Sequence, residues 1–170
     1  MPGLSIEGVA HRARAAKTTT YRWWPNKGRL AVETFFRAIG PLLPAPQADA
    51  RPAADELRAQ LRGLAGALNS PTGGMLSDLI AEGQRDPDTL RALIEGYLRP
   101  RRAMMAQVLE RGIAAGQFRA DIDADTAMDA LFGAIAGRAL LFGRPLELAW
   151  VDRLTDTVYR GLLSDEAKLA

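Results

Sequence analysis

An all-α fold is predicted by three observations on this 170-residue chain. Apolar residues recur at three- and four-residue spacing through most of it, the mark of one buried stripe per helix. Asn69-Ser70-Pro71, Asp86-Pro87, Gly116 and Gly143-Arg144-Pro145 interrupt the pattern where helices stop and restart. With 48% apolar and 25% charged residues and abundant Ala, Leu and Arg, the composition is that of a folded helical chain, and no strand-rich segment competes.

Ser5 is placed to cap a first helix whose Ile6, Val9, Ala10 and Ala13 share one face, with Glu7 near the positive end of its dipole. That helix runs to about Arg14, and a second begins near Lys17 after a tight turn. Lys17, Thr18, Thr19, Tyr21 and Arg22 then supply charge, short hydroxyls and donors together, the mixture that grips a nucleic-acid backbone and touches base edges. Arg12, Arg14 and His11 read as solvent-facing helix residues. Lys27, beside Pro25 and Asn26 at the next helix start, offers its ammonium and nearby backbone amides to one phosphate. From Gly28 the string RLAVETFFRAI forms an amphipathic connecting helix with Leu30, Phe35 and Ile39 on its apolar side.

Gly40, Pro41, Pro44, Pro46 and Pro52 break any helix and mark a boundary, dividing a head (1–45) from a helical body (46–170). Body helices are expected over about 53–69, 73–85, 87–115, 123–142 and 146–163. Pro100 lies inside the third and removes one hydrogen bond of its ladder, so that helix should be disturbed there. Arg99, Arg101 and Arg102 beside it read as a solvated basic face. The fourth, through ALFGAIAGRALLF, is apolar nearly all round and rich in small residues. The fifth carries a stripe of Leu148, Val151, Leu154, Val158 and Leu162.

Charge divides unevenly along the chain. The first forty residues hold seven Lys or Arg against two Glu, +5, leaving −3 for the rest of a chain whose net charge is +2. A basic head on a mildly acidic body fits one end that neutralises phosphates. Cysteine is absent and His11 is the single histidine, which disfavours a disulfide framework, a zinc finger, a thiol nucleophile and a Ser-His-Asp triad. Asp121, Asp123, Asp125 and Asp129 lack the other ligands of a calcium loop and read as a turn and helix cap, so neither a metal nor any other cofactor is expected. No window approaches the roughly 18 apolar residues of a membrane span, and the chain is expected in the cytoplasm.

The stretch AKTTTYRWWPNKGRLAVETF resembles the recognition-helix signature of the TetR family of bacterial transcriptional regulators, in which a Thr-x-Tyr-Arg-x-Trp-Pro-x-Lys string is common. RDPDTLRALIEGYLRPRRAMMAQVLERGIAAGQF and LFGAIAGRALLFGRPLE resemble the same family's ligand-and-dimer domain. The resemblance implies a helix-turn-helix DNA-binding head on a helical ligand-binding and dimerisation body. It implies that Tyr21 contacts phosphate and that Trp24 plugs the small core; Trp23, where the family often has a polar residue, is counted with the DNA-binding set, its indole open to stacking near sugar and bases, to touching a partner or to folding inward. It also implies a small apolar effector in the space beside the disturbed helix, lined by Met75, Leu76, Leu79, Ile80, Ile94, Tyr97, Leu98, Met105 and Leu109. Leu131, Ile135, Leu148, Val151, Leu154, Val158 and Leu162 become the candidate homodimer interface, and a dimer implies double-stranded DNA with a palindromic operator.

Departures from the family's pattern are specific. Arg14 and Ala15 stand where the turn usually has Gly and a small apolar residue; a non-glycine residue in a left-handed conformation costs on the order of 1 kcal/mol, so the turn is expected to be either strained or different. Thr20 stands where Ile or Leu is usual, and no counterpart of the helix that normally precedes the helix-turn-helix is read before residue 4, as expected either of a start that lies upstream or of a truncated relative. The leading expectation is a repressor released from its operator by effector. The alternative is a truncated member that dimerises and binds a ligand or partner without sequence-specific DNA binding.

Overall fold

The computed structural model describes residues 5–43 and 51–162. Pro44, Pro46 and the expected boundary at 45–46 lie outside the described residues. Three helices form the head: α1 (Ile6–Arg12), α2 (Lys17–Trp23) and α3 (Lys27–Ile39), the last followed by a 3-10 turn over Gly40–Leu42. The body is α4 (Ala53–Leu68), α5 (Pro71–Gly83), α6 (87–114), α7 (124–141) and α8 (Leu148–Leu162). Each start has its cause in the sequence. Ser5, Asn26, Ser70, Asp86 and Asp123 accept hydrogen bonds from backbone amides at the openings of α1, α3, α5, α6 and α7. Proline occupies the first turn of α5 and α6, where its missing N–H leaves no ladder bond unmade.

Two apolar cores hold these helices. The first joins α3 to the body: Ala31, Val32, Phe35 and Ile39 pack with Leu76 and Leu79 of α5, Leu93 of α6 and Ala67 of α4. The second fills the body, where Leu57, Leu61 and Ala65 of α4 meet Met105, Val108 and Leu109 of α6, Met128, Leu131 and Ile135 of α7, and Val151 and Tyr159 of α8. Each fully buried side chain of this size contributes roughly 1.5–3 kcal/mol. Gly112 of α6 lets the ring of Phe118 lie on its backbone, since a Cβ there would sit 2.4 Å from Phe118 Cδ2. Polar clamps tie α4 to the last helix and the loop before it. Tyr159 Oη donates to the Ala54 carbonyl at 2.7 Å, and the Asn69 side chain pairs with both backbone groups of Leu146. Arg62 meets Asp152, and Arg58 meets Asp156.

The disturbance expected at Pro100 is a π-helical turn over Ile94–Leu98, immediately before it. Proline has no N–H to donate and its ring crowds the carbonyl one turn back; a wider turn relieves both. Two further π segments, Asp129–Gly133 and Gly137–Leu141, interrupt α7. Nothing in the surrounding contacts explains the second pair.

These cores divide two of the expected sets. Leu131, Ile135 and Val151 are fully buried inside their own chain, so they have no surface to give a partner. Leu154, Val158 and Leu162 are half-buried against the same core, and only Leu148 of that set is largely exposed, at 53%. The expected effector lining also divides. Met75, Leu76, Leu79, Ile80 and Tyr97 belong to the first core, Met105 and Leu109 to the second, while Leu98 faces outward and Ile94 edges a surface groove. The set spans α5 and several turns of α6, and the apolar residues of α6 serve two cores, Tyr97 the first and Met105 and Leu109 the second.

Candidate nucleic-acid interface and its joint to the body

The turn from α1 into α2 runs through Arg14, whose φ of 50° makes it the single non-glycine residue with positive φ among the described residues. The chain reverses there as expected, with Ala15 donating to the Ala10 carbonyl at 3.0 Å, and it does so with a side chain in a conformation that favours glycine. Helix α2 buries only Thr20. The hydroxyl of Thr20 donates to the Ala16 carbonyl one turn back at 3.1 Å, which satisfies the polar group that replaces an aliphatic side chain.

Everything else on α2 faces outward. Lys17, Thr18, Thr19, Tyr21, Arg22 and Trp23 are all exposed, Trp23 at 67%. Tyr21 is held in place by donating its hydroxyl to Glu7 of α1, which lowers the Glu7 pKa and raises that of Tyr21. Trp24, half-buried as expected of a plug, donates its indole N–H to Glu33 of α3 at 2.7 Å. That bond, followed by the one from Arg37, holds the Glu33 carboxyl below its ordinary range.

Lys27 behaves differently from its expected role. Its ammonium lies 2.9 Å from Glu82 Oε1 of α5 and lowers the Glu82 pKa, so it is engaged with the body and not turned toward the α2 surface. Nearby, Gly28 approaches the start of α6 so closely that a Cβ would sit 1.6 Å from Thr89 Oγ1. Thr89 in turn donates to Asp86 at 2.6 Å, and this bond is the main reason the Asp86 pKa is lowered. Further along, Phe35 meets Tyr97 of α6 edge-on at 5.0 Å and Phe36 stacks on it at 5.9 Å. Gly96 makes room for that stack; a Cβ would be 2.7 Å from the Phe36 ring. Helix α3 is therefore fastened to the body along its length.

A cleft of about 500 Å³ runs along this joint, with Trp23, Trp24, Arg29 and Phe36 on the head side and Glu95 and Gly96 on the body side. Deeper in, the Tyr97 hydroxyl is buried without a hydrogen-bond partner, and burial pushes its pKa up to about 12. An unpaired buried hydroxyl of this kind costs about 1–3 kcal/mol. One turn on, Arg101 hydrogen-bonds to Gln60 of α4, and burial lowers its pKa. Neither Glu82, Thr89, Gln60 nor Arg101 carried a sequence signal for these roles, since each acts with a partner on another helix. The acidic run resolves into local contacts: Asp123 caps α7, Asp121 pairs with Arg119, and Asp125 and Asp129 pair with Arg102. Among the described residues no helix is long and apolar enough to cross a membrane.

Known proteins share this arrangement. Residues 47–158 match the family described as "Tetracyclin repressor-like, C-terminal domain". Over 164 residues the chain is 27% identical to the HTH-type transcriptional regulator YdeS of Bacillus subtilis (strain 168), spanning 96% of this chain and 82% of that one. The crystal structure of the TetR family transcription regulator SCO0332 superposes with a TM-score of 0.82 at 34% identity, covering 96% of this chain and 89% of the other. The flavonoid-responsive regulator FrrA, at 20% identity and a TM-score of 0.66 over 95% of this chain and 88% of its own, shares the fold alone. A matched body, a solved relative of the same architecture and an exposed basic second helix together make the chain a member of the TetR family of transcriptional regulators.

Proposed function

We propose that the protein is a dimeric repressor that binds a palindromic operator and is released by a small, largely apolar effector. The observation that carries this reading is the surface of α2, where Lys17, Thr18, Thr19, Tyr21, Arg22 and Trp23 all face solvent on the basic end of the chain. Arg22 and Lys17 supply phosphate contacts, the threonine hydroxyls and Tyr21 fix the register, and the Trp23 indole packs at the edge of the contact. Lys27 does not join this set while Glu82 holds it.

Dimerisation is supported by a face that one chain leaves open. Gly133 and Gly137 of α7 have empty space beside them, Leu141 and Phe142 are 82% and 73% exposed, and Leu148 continues the same apolar surface onto α8. A two-fold contact there replaces most of the expected interface set. Coupling runs through α3, which is packed on α6 at Tyr97; moving it need supply only about 1–3 kcal/mol.

Arg22→Ala tests the head directly. Operator affinity should fall, the dependence of log affinity on log salt should flatten by about 0.9, and the oligomer should be unchanged. Unaltered affinity would remove α2 from the interface. The positive φ at Arg14 favours a second reading, a family member that dimerises and binds ligand without selecting a DNA sequence.

A further inference from the structure

The geometry points to Tyr97 and Arg101, with Gln60, as a polar anchor for an acidic oxygen on the effector, a carboxylate or phenolate carried by an otherwise apolar body. This rests on the reading of the protein as an effector-controlled regulator and deepens it by naming the ligand's chemical class. Tyr97 lies in the π turn and Arg101 four residues on, just past Pro100, so that the two are about one turn apart on α6. The Tyr97 hydroxyl is sealed from water and has no partner. Arg101 is half-buried and has no carboxylate partner among the described residues; its hydrogen bond goes to the neutral side-chain oxygen of Gln60, itself buried. By contrast Arg58, Arg62, Arg102 and Arg111 each hold an Asp or Glu.

A half-buried cation without an anion, beside an unused hydroxyl, is suited to negative charge. Guanidinium N–H groups remain to be used after Gln60, and they fit a carboxylate oxygen pair. The Tyr97 hydroxyl would donate to the same group. Its ring is the surface on which Phe35 and Phe36 of α3 rest, so seating an anion at Tyr97 acts directly on the helix that leads to α2. Tyr97 packs against the apolar residues of the first core, Leu76, Leu79 and Leu93 among them, which suit the apolar remainder of such a ligand.

The test uses the full 170-residue chain, benzoate as probe and benzamide as its uncharged counterpart, with binding measured by calorimetry and stability by thermal unfolding. Benzoate should bind at least tenfold more tightly than benzamide. Arg101→Gln should abolish that preference. Tyr97→Phe should weaken benzoate severalfold while leaving the unliganded protein as stable as wild type or more so, because it deletes an unsatisfied hydroxyl; a merely structural tyrosine would show the opposite stability change. Equal binding of the two probes, no benzoate binding, or a preference that survives Arg101→Gln overturns the anchor. DNA binding is recorded on the same samples without probe. Selective DNA binding with no benzoate site sinks only the anchor, whereas a benzoate site without DNA binding sinks the regulator reading and leaves the anchor standing.

Discussion

At Arg14 the backbone has a φ of 50°, and the turn between α1 and α2 depends on it. The left-handed conformation crowds a Cβ against the neighbouring carbonyl, whereas glycine adopts it freely at some cost in unfolded-chain entropy. Arg14→Gly should therefore stabilise the protein by about 0.5–1 kcal/mol, seen as a higher unfolding midpoint. A lower midpoint would mean that the Arg14 side chain contributes more than its backbone strain removes. Lys27 shows the same principle for an ion pair. Glu82→Gln should lower stability, since the Glu82 side chain is largely covered, while freeing the half-exposed ammonium for phosphate. Operator affinity should then rise and its salt dependence steepen by about one phosphate contact; a weakened, flatter binding curve would show that the pair with Glu82 is needed to seat the head.

Between α4 and α8 the stabilising contacts are charged at the surface and apolar beneath. The hydrogen bond from Arg62, with Arg58 beside it, holds the Asp152 carboxyl below its ordinary pKa. A depressed folded-state pKa means that this stabilisation is present above the ordinary carboxylate range and is lost as pH falls through the lowered value. Denaturant unfolding across a pH series should show stability falling below about pH 4, and Asp152→Asn should be less stable at neutral pH with a shallower acid limb. An unchanged acid limb in that variant would assign the loss to other carboxylates. At this scale the sequence was most legible. Periodicity and the Ser, Asn, Asp, Pro and Gly signals place every helix to within a few residues, because capping and helix breaking are local. Tertiary choices were not. A stripe of Leu131, Ile135 and Val151 reads equally as core or interface, and only the packing of α4 and α6 against it decides for core. Lys27 looked free because Glu82 lies far along the chain, and Leu98, at the end of the π turn, is exposed.

At the largest scale, the described residues form a basic three-helix head fastened by α3 to a body that exposes Leu141, Phe142 and Leu148. Replacing Leu141 and Phe142 together by Asp should convert the protein to a folded monomer in sedimentation, and operator affinity should drop sharply because two half-sites are no longer engaged at once. An unchanged dimer would place the interface elsewhere. The central claim is that the exposed α2 surface reads a DNA sequence, and the most direct measurement is binding of the whole chain to the DNA flanking its own gene and to random duplex over a range of salt. The account predicts tight, selective binding to a palindrome, with a salt slope that reports several phosphate contacts. Binding no better than to random DNA, by a sample shown to be folded and dimeric, would contradict it.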